Sequence, residues 1–188
     1  MLSTKKIEYT ELRIIGGAFR GRKLEVPVCA GLRPTHNRIR ETVFNWLQPV
    51  ILESRCLDAF AGSGALGFEA LSRGAAYSFF VENDRIQAQG IEKNAKKLGT
   101  QATIIQSSWP GVKLSSEKFD IVFLDPPFNS GLIDVAWNEL LSQHLLADNC
   151  WIYLEHSTNE KPVIPAGFDS YRSKQTKQVV YSLYTPSA

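Results

Sequence analysis

Short apolar runs and longer stretches of helical periodicity alternate along this chain. The short runs are rich in β-branched and aromatic residues and predict buried strands, whereas apolar residues spaced three or four apart predict amphipathic helices. The predicted strands are 56–60, 77–81, 102–105, 119–124, 150–154, 168–172 and 178–184. Because strands and helices alternate as far as the fifth strand, the pattern predicts an α/β protein with a mostly parallel sheet and helices on both faces. The last two strands have no helix between them, which predicts an antiparallel edge.

The predicted helices span 36–47, 65–73, 84–98 and 132–146. Thr35, which follows Pro34, is the expected N-cap of the first, and Asp84 that of the third. Ahead of these helices, residues 12–17 and 22–26 flank closely spaced glycines and predict a small β-extension. We therefore expect a basic β-extension over residues 1–30 and a main domain over residues 31–188.

Charge is distributed unevenly along the 188 residues. Residues 1–40 contain nine Lys/Arg and three Glu, whereas the remainder contains twelve Lys/Arg and sixteen acids. A basic arm on a mildly acidic body indicates a polyanionic partner, although a solvated face without a partner has the same composition. The three cysteines are far apart and no apolar stretch reaches membrane-span length, so we expect a cytoplasmic protein without disulfides or membrane spans.

The tetrapeptide Asp125-Pro126-Pro127-Phe128 follows the apolar strand at 119–124. Two prolines end the strand abruptly because neither donates a ladder hydrogen bond. A carboxylate and the Pro126 carbonyl suit the two N–H groups of an exocyclic amino group on a planar base, and Phe128 suits stacking on its ring. The sequence therefore predicts that Asp125, Pro126, Pro127 and Phe128 form the catalytic site. An ordinary strand-end turn is the alternative.

A glycine motif follows the first strand of the main domain, with Gly62, Gly64 and Gly67 in G-x-G-x-x-G spacing. Such glycines allow a ligand to approach the backbone closely. Glu82 ends the next strand, twenty residues after Gly62, where an acid is expected to bind a ribose diol. The pattern predicts a nucleoside-containing cofactor.

Asp58, just before the glycine turn, indicates which cofactor this is. A carboxylate there suits the ammonium group of S-adenosylmethionine and would repel the pyrophosphate of NAD, although a plain turn acid remains an alternative. Ser108 and Trp109 are expected beside the adenine, unless they are loop residues only. The predicted cofactor-binding residues are Asp58, Phe60, Ala61, Gly62, Ser63, Gly64, Glu82, Asn83, Ser108 and Trp109.

Taken together, these motifs make the chain similar to the Rossmann-like class I methyltransferases. Within that class it resembles the bacterial 16S ribosomal RNA guanine-N2 methyltransferases of the RsmD family, over about residues 12–156. The resemblance is carried by RIIGG at 13–17, RGRKL at 20–24, LRPT at 32–35, RIRETVFNWL at 38–47, LDAFAGSGALG at 57–67, EALSRGA at 69–75 and DPPF at 125–128.

The resemblance implies a seven-stranded sheet, S-adenosylmethionine as methyl donor, and N2 of a guanine in 16S ribosomal RNA, of the guanine-966 type, as acceptor. It also implies that the substrate is the 30S ribosomal subunit or an assembly intermediate. One departure concerns Ser108, since relatives often carry Asp or Asn at that position. A serine at that position can accept or donate one hydrogen bond.

The basic arm supplies the predicted RNA contacts. Its candidates are Arg13, Arg20, Arg22, Lys23, Arg33, Arg38 and Arg40. Phosphate binding is one role, and closure of Arg33, Thr35 and Arg38 over the cofactor or base is another that the sequence leaves open.

Three other functions remain to be weighed: a DNA adenine-N6 or cytosine-N4 methyltransferase, an NAD-dependent oxidoreductase, and a catalytically silent RNA-binding module. The chain has no second region large enough to read a DNA sequence, and Asp58 and Asp125 disfavour the other two. We expect a monomer. We also expect no metal, because His36, His144 and His156 lack ligand spacing.

Overall fold

The computed structural model describes residues 7–28, 37–114 and 118–187. The predicted N-cap Thr35 and the predicted RNA contact Arg33 lie outside these residues, as does the predicted domain boundary at residue 30. The helices are α1 (Asn37–Leu47), α2 (Ala65–Ser72), α3 (Arg85–Leu98) and α4 (Leu132–Ser142). The strands are β1 (Tyr9–Arg13), β2 (Lys23–Pro27), β3 (Arg55–Asp58), β4 (Tyr77–Glu82), β5 (Ala102–Gln106), β6 (Phe119–Leu124), β7 (Leu146–Ser157), β8 (Phe168–Gln175) and β9 (Val179–Pro186).

Seven strands form one sheet in the order β5-β4-β3-β6-β7-β9-β8. The first five in that order run parallel, and β9 pairs antiparallel with both β7 and β8. The predicted α/β architecture with an antiparallel edge is therefore confirmed. The chain order reverses between β3 and β6, and ligands of open α/β sheets bind beyond the carboxyl ends of strands at such a reversal.

The two faces of the sheet carry separate cores because successive strand residues point to opposite sides. On one face, Leu57 and Val122 pack with Trp137 of α4. On the other, which we call the α1 face, Ile121 packs with Phe44 of α1. The near-continuous apolar sequence of β6 follows from this arrangement, since a central strand is buried on both sides.

The fourth helix is shorter than its periodicity predicts. It ends at Ser142, and the predicted continuation to residue 146 is wrong. His144 adopts a left-handed backbone conformation (φ 54°), and the Leu145 N–H turns back to the Leu140 carbonyl. Leu146 then begins β7 by pairing with Phe119. The apolar residues after the helix thus serve a strand instead of a further helical turn.

Several strand boundaries also differ from prediction. β7 (Leu146–Ser157) begins four residues before and ends three residues after the predicted 150–154, and β8 continues to Gln175 instead of residue 172. β3 ends at Asp58 instead of residue 60, because the glycine turn begins immediately after it. In the extension, β1 and β2 pair over Tyr9–Arg13 and Lys23–Pro27, and the residues between them form turns with positive φ at Gly17 and Gly21. Part of the predicted strand at 12–17 is therefore turn.

The β1–β2 hairpin packs against α2 and α3. Leu12 and Leu24 are buried in one cluster with Phe68 and Ile91. A Cβ on Gly90 of α3 would lie 2.8 Å from the Pro27 ring, so the lack of a side chain there permits the close approach of α3 to β2. The extension therefore shares its core with the helices of the main sheet.

Glu69 of α2 fastens the chain that leaves β1. Its two carboxylate oxygens accept hydrogen bonds from the Ile15 and Gly16 N–H groups at 2.9 and 2.8 Å, and from Arg73 Nε at 2.9 Å. Arg40 of α1 lies beside this carboxylate, 3.9 Å from it, and donates to the Arg13 carbonyl. These contacts join the extension, α1 and α2.

Arg40 therefore does not play its predicted part as an RNA-phosphate contact. Its side chain is completely buried, and its charge faces Glu69 inside the protein. That prediction is wrong because it assumed that every Lys and Arg side chain of the basic arm is exposed. Arg13, Arg20, Arg22, Lys23 and Arg38 are exposed.

Candidate functional site

The glycine turn after β3 forms the floor of the candidate site. Gly62 and Gly64 have positive φ values of 51° and 76°, a conformation that glycine adopts without strain. A Cβ on Gly67 would lie 2.2 Å from the Phe80 ring, so α2 packs directly on β4. The predicted strand–glycine turn–helix unit is present.

Asp58 is buried immediately behind this turn. Its Oδ2 accepts a hydrogen bond from the Gly67 N–H at 3.0 Å, which ties the end of β3 to the first turn of α2. Burial raises the pKa of the Asp58 carboxyl from 3.8 to about 7; the Gly67 bond opposes that rise and the charge of Glu82 adds to it. A cation bound here would offset the cost of ionising the buried carboxyl.

Glu82 bridges the glycine turn and the start of α3. Its two oxygens accept from the Gly62 N–H at 2.6 Å and the Asp84 N–H at 2.8 Å. Burial raises its pKa, against these hydrogen bonds. Asp84 in turn caps α3 as predicted by accepting from the Ile86 and Gln87 N–H groups. The structure therefore brings Gly62 and Glu82 together, as the twenty-residue spacing indicates.

The other predicted cofactor-binding residues near Glu82 differ in their exposure to solvent. Asn83 is exposed beside Glu82, and Phe60 is half-buried, whereas Ala61 and Ser63 are buried. Beyond β5, the Ser107 N–H donates to the Glu82 carbonyl at 3.0 Å, which brings that loop to the same edge. The predicted adenine contacts there are Ser108, which is exposed, and Trp109, which packs inside the core cluster under α4.

The tetrapeptide 125–128 continues β6 at the same edge of the sheet. Asp125 is half-buried, Pro126 is buried and Pro127 is exposed. Phe128 is half-buried and packs against the core of the α1 face. Because β3 and β6 are parallel neighbours, Asp125 and the glycine turn after Asp58 lie on adjacent strand ends.

Glu160, which sequence reasoning missed, holds the loop that follows the tetrapeptide. Its Oε1 accepts from the Asn129 N–H at 2.8 Å and its Oε2 from the Ser157 N–H at 2.9 Å. Asn129 has a left-handed backbone (φ 57°). One carboxylate therefore joins the loops after β6 and β7. The bond to Ser157 has the S-x-x-E spacing of a capping box, but no local pattern indicates the bond to Asn129, which is 31 residues away in sequence.

Tyr153 and Glu155 extend the polar groups into β7. The Tyr153 hydroxyl donates to Glu155 at 2.6 Å, and both side chains are buried. Burial, together with the charges of Glu155 and Asp125, raises the pKa of Tyr153 well above its ordinary value. The tyrosine is therefore a proton donor within this acidic group.

An open groove of about 790 Å³ lies elsewhere, between α3 and the edge strand β5, and its lining includes Gln89, Lys96 and Ile104. We place the candidate site at the strand ends instead, because the buried acids and the glycine turn converge there. Among residues 7–28, 37–114 and 118–187 no group of three His, Cys, Asp or Glu side chains is arranged to hold a metal ion. No helix in that same part of the chain is long and apolar enough to span a membrane.

The strand order, the glycine turn and the acids at successive strand ends define the Rossmann-like class I methyltransferase fold. A family model described as "Conserved hypothetical protein 95" matches residues 12–185. A similar protein from Escherichia coli K12, named ribosomal RNA small subunit methyltransferase D, is 46% identical over 181 residues, covering 95% of this chain and 91% of its own. Its namesake from Haemophilus influenzae is 45% identical over 180 residues, covering 93% of each chain.

Solved structures agree with this relation. A putative methyltransferase from Escherichia coli superposes with a TM-score of 0.87 at 45% identity, covering 95% of this chain and 99% of the other. The chain belongs to the family of ribosomal RNA small subunit methyltransferase D, known also as the RsmD family.

Proposed function

We propose that this protein transfers a methyl group from S-adenosylmethionine to the exocyclic N2 of a guanine in 16S ribosomal RNA, of the guanine-966 type. The acceptor is the RNA within the 30S subunit or an assembly intermediate, and the enzyme acts as a monomer in the cytoplasm. One observation carries the proposal. Asp58, the glycine turn at Gly62 and Glu82 lie beside Asp125 at the carboxyl edge of the sheet.

The residues present suit the methyl donor. Glu82 retains lone pairs for a ribose diol beyond the two N–H groups that it accepts. Asp58 offers negative charge for an ammonium group, and the positive-φ glycines leave the backbone open to close approach. When bound, S-adenosylmethionine supplies a methyl group activated by its sulfonium.

Asp125 and the Pro126 carbonyl orient the acceptor. The guanine N2 lone pair is delocalised into the ring and is a weak nucleophile. Two acceptors that bind its hydrogens favour a pyramidal nitrogen with its lone pair directed at the methyl group, so much of the rate gain is orientation. The Asp125 carboxylate also offsets the positive charge that develops on nitrogen.

Phe128 holds the base in this arrangement. Its ring is half-exposed at the site and supported below by the core of the α1 face, which suits stacking on a base that has left its helix. The N–CH₃ bond forms as the S–CH₃ bond breaks, and the nitrogen then loses a proton to Asp125 or to water.

The test is labelled-methyl transfer onto 30S particles from cells that lack the enzyme. Wild type should yield N2-methylguanine, whereas Asp125→Ala should lower the rate at least about a thousandfold, because both orientation and charge stabilisation are lost. The affinity of Asp125→Ala for S-adenosylmethionine should be nearly unchanged. Asp148→Ala removes an exposed acid with the same charge and should remain active.

The same assay distinguishes the alternatives. Transfer to duplex DNA but not to 30S particles would indicate a DNA amino-methyltransferase. Binding of NAD in preference to S-adenosylmethionine would indicate an oxidoreductase. Loss of S-adenosylmethionine binding in Asp125→Ala would contradict the assigned role of that residue.

A further inference from the structure

A second group of cations lies on the β8–β9 hairpin, outside the basic arm. Arg172, Lys174 and Lys177 are all exposed. The hairpin has one acid, Asp169 near the start of β8, and residues 170–187 contain no Asp or Glu. Charge summed over residues 41–188 conceals this group, because acids elsewhere in that span outnumber the bases. The hairpin is therefore a local positive surface on a body of net negative charge.

The tip of the hairpin lies at the same edge of the sheet as the tetrapeptide 125–128. β9 begins beside the end of β7, where Val179 pairs with Ser157, and the Thr158 N–H donates to the Gln178 carbonyl at 3.1 Å. Glu160 then connects Ser157 to Asn129. β8 is three strands from β6, so the two are separated by roughly 14 Å, which a few nucleotides of RNA can span.

Within the part of the chain that the structure describes, these three cations have no ion-pair partner. Elsewhere in the described residues lysines form ion pairs, among them Lys23–Glu11, Lys93–Glu25 and Lys96–Glu92. Across residues 7–28, 37–114 and 118–187, by contrast, no carboxylate forms an ion pair with Arg172, Lys174 or Lys177. Three exposed positive charges without an ion-pair partner among the described residues favour binding of an anion.

Aromatic rings lie directly beneath two of these cations. Arg172 is stacked over Tyr171 at 5.2 Å, and Lys174 lies 6.0 Å above Trp46 of α1. Trp46 is itself stacked on Tyr181, whereas Tyr171 is half-exposed at the edge. Cations interleaved with an exposed aromatic ring are typical of single-stranded nucleic acid sites.

Charged residues on edge strands also prevent pairing with other sheets. That role requires charge of either sign and requires no aromatic partner, so it does not account for three positive charges beside Tyr171. The difference between the two roles is open to experiment, because reversing the charges preserves edge protection and removes attraction to RNA.

We propose that Arg172, Lys174, Lys177 and the exposed ring of Tyr171 form a second RNA-binding surface, which holds the strand next to the target guanine. This inference rests on the proposed function, since it takes ribosomal RNA as the acceptor. The cations bind phosphates and Tyr171 stacks on a base.

The test compares two triple variants that lose the same charge. Arg172→Ala/Lys174→Ala/Lys177→Ala should weaken equilibrium binding to unmethylated 30S particles by about tenfold or more and lower the salt slope of log Kd by about 2. KM for the particles should rise while kcat and the affinity for S-adenosylmethionine stay within about twofold of wild type, since chemistry is unaffected. Lys96→Ala/Lys113→Ala/Lys118→Ala, away from this edge, is the matched control and should bind nearly as wild type does.

Three further variants separate the contribution of the positive charges from that of the Tyr171 ring. Arg172→Glu/Lys174→Glu/Lys177→Glu keeps a charged edge and should stay monomeric, yet bind 30S particles more weakly than the alanine variant. Tyr171→Ala should weaken binding while Tyr171→Phe retains it, because stacking needs only the ring.

Equal binding by the hairpin and control triple variants would overturn the inference. If the hairpin variant bound weakly but wild type transferred no methyl group, the surface would stand and the proposed reaction would fail. A wild-type protein that did not bind 30S particles would overturn both.

Discussion

Asp58 is a residue at which burial and the proposed need for a negative charge oppose each other. It is almost fully buried, yet a carboxylate at this position is proposed to bind a cation. Its hydrogen bond to Gly67 holds α2 on β3, and burial raises its pKa to about 7. In the absence of a cation the carboxyl is therefore more easily protonated than an ordinary aspartate.

This shift makes the free energy of unfolding depend on pH. Between about pH 4 and 7 the folded protein keeps a proton on Asp58 that the unfolded chain has released, so stability is highest below this window and falls as pH rises through it. The loss attributable to Asp58 is up to about 4 kcal/mol. Asp58→Asn keeps an acceptor for Gly67 without titrating, so the stability difference between the two proteins should grow from pH 4 to pH 8 in favour of the variant.

Urea unfolding of both proteins at a series of pH values measures that difference and cancels the titration of other groups. The variant should also bind S-adenosylmethionine more weakly at pH 8, since it lacks the charge for the ammonium group. A stability difference that does not change with pH would contradict the raised pKa.

At the scale of elements, strand ends and loops form the site while helices set their spacing. Apolar runs predicted the five parallel strands of the main sheet because a parallel strand buried on both faces has few polar residues. The edge strand β8 is exposed and mostly polar. The end of α4 was predicted wrongly, because Leu145 and Leu146 continue the apolar pattern while His144 breaks the helix. Glu160 joins two loops through its bond to Asn129, a contact that no local pattern predicts.

Glu160→Ala should lower kcat for methyl transfer by about tenfold or more, because the loop after Phe128 loses a charge-assisted hydrogen bond at Asn129 and another at Ser157. The affinity for S-adenosylmethionine should change little, since its proposed site lies at β3 and β4. Glu160→Gln retains one acceptor oxygen and should be intermediate. Steady-state kinetics with 30S particles measures the effect, and Glu92→Ala on α3 is the control. Equal kcat for Glu160→Ala and wild type would show that this contact does not position the loop.

At the scale of the whole molecule, the extension and the sheet act as one packed unit. Leu12 and Leu24 share a core with α2 and α3, and Glu69 fastens the chain after β1. Arg40 is enclosed where the extension, α1 and α2 meet. The exposed cations of the arm and those of β8 consequently have fixed positions on one packed body.

Arg40→Ala should lower the free energy of unfolding by about 3 kcal/mol, since it breaks a buried ion pair and leaves a cavity. Arg38→Ala, at an exposed position on the same helix, should change it by less than about 0.5 kcal/mol. The salt slope of RNA binding should be unchanged in Arg40→Ala, as the guanidinium does not reach solvent. Thermal and urea unfolding and binding at several salt concentrations test both points. A reduced slope would restore Arg40 as a phosphate contact.

The sequence by itself determined the features that depend on neighbouring residues. Alternating apolar runs predicted the α/β sheet, and glycine spacing with Glu82 predicted the turn at Gly62, because backbone conformation and burial are imposed locally. The resemblance carried by the glycine motif and by 125–128 led to the family to which the chain belongs. Those features needed no knowledge of which distant segments meet.

Tertiary structure alone decided the rest. Arg40 is buried because Glu69 and the Arg13 carbonyl meet it from two other elements, Glu160 matters because β6 and β7 are neighbours, and Lys174 lies beside Trp46 because β8 closes the sheet under α1. In each case the role of a charged side chain depends on its partners across the fold, and the desolvation or exposure of that charge is fixed only when the chain is packed.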